Sequence, residues 1–166
     1  AFGYTGESWT FDLTALEFVD DLRVDAQVSV TCLYNTKEGN HDGRNPYVAR
    51  SVVKGPQLHA FLTLWYQRFV RALATCFSEG RPMAMVVACN QGCQQSVAVV
   101  ELLKVILLAE GFDVSIRHLH LFGWPGGSKH DCDCETCCGN DTSIAVWDAW
   151  NDALRRMRQV FDAVAT

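Results

Sequence analysis

The sequence has no apolar run of the roughly 20 residues that a membrane-crossing helix needs. Its longest apolar segment, Val97 to Ala109, is interrupted by Glu101 and Lys104. A helical anchor within the chain is excluded, and the segment reads as a buried helix. There is no internal repeat and no low-complexity linker, which sets aside solenoids and tethered modules. The amino terminus lacks the charged, apolar and small-residue regions of a signal peptide. Because the chain opens at Ala1 without methionine, it is expected to be a piece of a longer protein. Positive charge is also scarce: 14 Lys and Arg face 19 Asp and Glu, a net charge of −5 that argues against a protein coated in nucleic acid.

What charge there is has an uneven distribution. Residues 1–34 hold one base against six acids, whereas 35–81 hold seven bases, including Arg44, Arg68 and Arg71, against three. Any anionic ligand is therefore expected near the middle segment. At 166 residues and 49% hydrophobic composition, the chain fits one domain with a core of ordinary size. Of its eight cysteines, four stand scattered in apolar contexts (Cys32, Cys76, Cys89, Cys93) and four crowd into Cys132 to Cys138. That pattern favours a reducing compartment and an intracellular, cytoplasmic protein over a secreted disulfide scaffold. Cys32 and Cys76 read as small buried hydrophobes.

Strand signals come from SWTFDLTAL and QVSVTCLY, rich in β-branched and aromatic residues. NTKEGNHDGRNPY follows as a long loop of turn residues, with His41 and Arg44 as candidates to touch a ligand. HAFLTLWYQRFVRALATCFSEG carries an apolar helical stripe ending at Gly80, and PMAMVVACN is a strand of the kind buried on both faces. SVAVVELLKVILLAEG is predicted as a helix ended by Gly111, DVSIRHLHLF as the next strand, and SIAVWDAWNDALRRMRQVFDAVAT as a last helix packed across the sheet. Strand, loop, helix, strand predicts a βαβ unit. The expected architecture is one α/β domain with a mixed, partly parallel sheet and helices on both faces.

Ligands settle at the carboxyl ends of such strands, where MVVACNQGCQQS lies. An apolar strand, a loop with a glycine and a long helix aim N–H groups at an anion. Cys89 and position 95 also have the spacing of a tyrosine-phosphatase loop, but Gln95 stands where that chemistry needs arginine. A neutral amide neither lowers the cysteine pKa nor stabilises a phosphoryl transition state, so the loop reads as binding rather than catalytic. An enzyme using Cys89 or Cys93 as nucleophile is the less favoured alternative.

The same loop, between its strand and the helix SVAVVELLKVILLAEGFDV, resembles the C-terminal domain of the RapZ family of RNase adapter proteins, as does the strand DVSIRHLHL. The resemblance spans roughly residues 25 to 121 and rests mainly on the order of elements. Cys89, Gly92 and Ser96 match the family loop, while Asn90, Gln91, Gln94 and Gln95 depart from it; Arg117 and His118 match its later strand. The resemblance implies a non-catalytic adapter that binds a small anionic molecule of sugar-phosphate type and structured RNA. Its ligand residues here would be Arg44, Asn90, Gln91, Gly92, Cys93, Gln94, Gln95, Ser96, Arg117 and His118. Gln94 and Gln95 replace the family's charges and favour a neutral or more weakly held ligand. For RNA, the cations available are those between Lys37 and Arg81.

HLHLFGWPGGSKHDCDCETCCGN is the second chemical signal. His130, Cys132, Cys134, Cys137 and Cys138 offer more soft ligands than a tetrahedral zinc needs, and Cys134-x-x-Cys137 has the spacing of a zinc knuckle. The alternatives are disulfides and free thiols. A closed four-ligand site would be structural, tying a long loop to the sheet. A zinc- or thiophilic-metal-binding protein organised by this cluster is the competing functional reading.

Overall fold

The computed structural model describes residues 2–3, 24–30, 33, 41–89, 94–118 and 134–166. Three strands form a parallel sheet: β1 (Phe2–Gly3), β2 (Ala26–Ser29) and β3 (Met85–Cys89), in the order β1-β3-β2. Four helices accompany them: α1 (Pro46–Val52), α2 (Leu58–Ser78), α3 (Gln95–Ala109) and α4 (Ile144–Ala165). This is the α/β class expected from the sequence, and both pairings among the described residues are parallel.

β3 is the central strand, and Val86, Val87, Ala88 and Cys89 are all buried, so both its faces are covered. Its register with β2 pairs Ala26 with Met85 and Ser29 with Ala88. Beyond Ser29 the Val30 N–H still donates to the Ala88 carbonyl at 2.8 Å. At the other end, Asp25 clamps β2 to the approach to β3. Its carboxylate accepts from Arg81 Nη1 at 3.0 Å, from Arg81 Nη2 at 2.7 Å and from the Ala84 N–H at 2.8 Å.

The helices follow their apolar stripes. Trp65 and Phe69, one turn apart on α2, stack at 4.9 Å, and Phe161 of α4 meets Trp65 at 6.1 Å. Gly80 and Gly111 close α2 and α3 with φ of 65° and 88°, a conformation that side chains resist. In each case the next residue's N–H returns to the last turn: Arg81 to Cys76 O at 3.1 Å and Phe112 to Leu107 O at 3.0 Å. The core joins Val28 and Val30, Val87 and Cys89, Leu102 and Ile106, and Met157 of α4.

Several expectations are corrected. The loop read through Pro46 and Tyr47 ends sooner, because Asn45 and Pro46 start a helix. Asn45 Oδ1 accepts from the Tyr47 N–H at 3.0 Å, and Pro46 occupies the first turn, where its missing donor costs nothing. Asp113 to His118 form no strand, so the crossover expected after β3 is not seen among the described residues. The βαβ unit present is β2, α1, α2, β3. α4 packs chiefly on α1 and α2 and also touches α3, forming a helical layer rather than crossing the strands. SWTFDLTAL lies outside the described residues, as do Thr31, Cys32 and Tyr34 of QVSVTCLY and the stretch from Leu119 to Phe122.

Candidate metal centre

Three chain segments meet at the amino-terminal end of α3. The first is His41 to Asn45, His-Asp-Gly-Arg-Asn, which runs against the first turns of α3. Gly43 has to be glycine there, since a Cβ would lie 2.2 Å from Gln94 O and 2.3 Å from Ala98 N. Asp42 is fully buried and held by Arg44, whose Nε donates at 3.0 Å and Nη2 at 2.7 Å. A buried carboxylate needs such a paired, two-pronged partner to offset its lost hydration.

The second segment is the start of α3. Gln94 Nε2 donates to the His41 carbonyl at 2.8 Å, and Gln95 Nε2 donates to the Leu33 carbonyl at 2.6 Å. Gln95 and Ser96 are buried, and the Ser96 hydroxyl lies 3.2 Å from Cys89 Sγ. The polar side chains at positions 94 to 96, expected to face a ligand, are thus engaged inside the protein.

The third segment is the turn Cys134 to Gly139. The Cys138 N–H returns to Cys134 O at 3.0 Å, and Gly139 adopts φ of 76°, bending the chain back. This turn presents Cys134 and Cys137 to His41: the imidazole Nδ1 is 3.4 Å from Cys134 Sγ and 3.6 Å from Cys137 Sγ. One donor atom from each residue lies within 4.8 Å of the others, close enough to hold a metal ion.

Those spacings match a tetrahedral metal. Zinc bonds of about 2.3 Å to sulfur and about 2.05 Å to nitrogen place S and N ligands about 3.6 Å apart. Cys137 is buried, and the Asn45 side-chain amide donates to its sulfur at 3.7 Å. Such donors orient a thiolate ligand and stabilise its charge. Without a metal, burial pushes the Cys137 thiol up, with the Cys134 thiol and the Asp42 charge adding to the effect. A dication held by these residues would supply a counter-charge.

Of the metal ligands expected from the sequence, Cys134 and Cys137 lie in this cluster, whereas His41 was expected to touch a ligand from its loop. Cys138 is exposed and stands outside the cluster. His130 and Cys132 lie outside the described residues, as do Asn90, Gln91, Gly92 and Cys93. No disulfide joins the described cysteines, and Cys76 is buried as expected of a small apolar residue.

The remaining expected ligand residues sit elsewhere. His118 Nε2 bonds Glu101 Oε1 at 2.7 Å, and its Nδ1 is buried without a hydrogen-bond partner. Burial raises the Glu101 carboxyl, but the hydrogen bond from His118 and the charges of His118, Lys104 and Arg44 bring it below its ordinary value. Arg117 is exposed. Arg68 donates to the Gln27 carbonyl, and Arg68 and Arg71 border a cleft of about 450 Å³ beside Asp25.

Comparison with models of known protein families, with curated protein sequences and with solved structures returned no match for this chain.

Proposed function

We propose that this chain is a non-catalytic binding domain whose working rim is fastened by a structural metal ion, zinc being the metal that suits the donors. His41, Cys134 and Cys137 supply three ligands. The observation that carries this reading is the pair of Nδ1 to Sγ distances, 3.4 and 3.6 Å.

The role follows from what the ligands join. His41 comes from the loop before α1, and Cys134 and Cys137 come from the turn before α4, so a metal here cross-links two loops distant in sequence. Closing such a long loop adds folding free energy, and soft nitrogen and sulfur donors select zinc over calcium or magnesium. The fastened segment packs on the start of α3, at the carboxyl end of β3, where α/β domains bind their ligands.

Cobalt substitution tests the centre. Co²⁺ bound by two thiolates in a tetrahedral field gives intense visible bands and a sulfur-to-metal charge-transfer band. A weak, octahedral-type spectrum would exclude a Cys134 and Cys137 site.

A further inference from the structure

Away from the cysteine cluster, α2, β3, α3 and the segment after α3 border a half-open cleft of about 420 Å³. Trp65 and Phe69 of α2, Met85 of β3, Leu103 of α3 and Val114 bound it. It falls within the roughly 300 to 1,000 Å³ of small-molecule sites, which are mainly apolar with a few polar groups that orient the ligand.

The polar groups here suit a single negative charge. Lys104 borders the cleft, and its positive charge also acts on the Glu101 carboxyl. The wall from Asp113 to Ile116 makes no backbone hydrogen bond among the described residues. The Asp113 carboxylate also borders the space but is exposed, where water and salt screen its repulsion. Met83 and Met85 give the lining flexible, polarizable side chains that adapt to a slender body.

We propose that this cleft binds a small amphiphile with an aliphatic body and one carboxylate, of the medium-chain fatty acid class. The chain lies among Trp65, Phe69, Met85 and Leu103, and the carboxylate meets Lys104 and the N–H groups of the 113–116 wall. This site is independent of the metal centre.

The three methionines make the test direct. Met83 and Met85 line the cleft, whereas Met157 is fully buried and is not part of the lining. With ¹³C-methyl methionine in the zinc-loaded chain, decanoate below its micellar concentration is expected to shift the Met83 and Met85 resonances saturably and leave Met157 in place. No shift, or equal movement of all three, overturns the proposal. Val100→Trp, which fills the space, is expected to weaken decanoate binding at least about tenfold. Should that variant not fold, the wild-type methionine pattern decides alone. Lys104→Gln is expected to weaken decanoate about fivefold and leave decanol unchanged; equal effects on both, or on neither, overturn the placement of the carboxylate.

Discussion

The Gln94 side-chain amide donates to the His41 backbone carbonyl at 2.8 Å, so the first residues of α3 fix the position of a candidate metal ligand. The contact is to the backbone of His41, so its effect is through orientation. Gln94→Ala is expected to leave the fold intact and weaken zinc affinity by about tenfold, the usual cost of losing a supporting contact to a metal ligand. Competition with a chromophoric chelator measures it, and unchanged affinity would remove Gln94 from the site.

Gly43 is the tightest point between the His41 to Asn45 segment and α3. An added methyl would press on backbone atoms of Gln94 and Ala98, which cannot turn aside as a flexible side chain does. Gly43→Ala is expected to destabilise the chain by about 2 to 3 kcal/mol in urea unfolding. It should also lower zinc affinity, since the segment that carries His41 has to move.

Asp25 and Arg81 set an acid limit. The Arg81 hydrogen bonds hold the Asp25 carboxyl well below the usual carboxylate range, against burial that raises it. A carboxyl with a depressed folded pKa contributes stability that is fully present above its unfolded value, about 3.9, and is lost as pH falls through the folded value. Asp25→Asn is expected to cost about 1 to 3 kcal/mol at neutral pH. The gap between variant and wild type should narrow as the pH drops below about 4. Urea titrations at pH 7 and pH 3 compare them.

The parts of the fold legible in the sequence were those with long periods or firm stops. α2, α3 and α4 repeat apolar residues over many turns, and Gly80 and Gly111 mark where two of them end. α1 escaped notice because seven residues carry little periodicity and Asn45-Pro46 has two meanings. The pair marks a turn, and it is also a cap followed by the first helical residue. Val114 and Ile116 are strand-forming residues, yet no ladder partner stands beside their segment among the described residues.

The candidate metal centre was half legible for a related reason. Cys134 and Cys137 announce themselves by spacing, because one turn brings them together. His41 lies 93 residues before Cys134, a distance no local pattern spans. Gln94 and Gln95 read as missing charges in an anion loop, whereas in the fold their amides tie separate segments to α3.

Neighbouring cysteines should behave differently. Cys137 is buried in the cluster and Cys138 is exposed beside it. Cys138→Ser is expected to keep the metal and the melting temperature. Cys137→Ser should lose both, with the destabilisation disappearing when wild type and variant are compared after chelation.

The most direct measurement is metal stoichiometry by native mass spectrometry on the wild-type chain and on His41→Ala, both loaded with zinc and passed over a desalting column. The account predicts one zinc per wild-type chain, removed by a strong chelator, and none retained by His41→Ala. A wild-type mass equal to the metal-free chain, or a full zinc complement in His41→Ala, would contradict it.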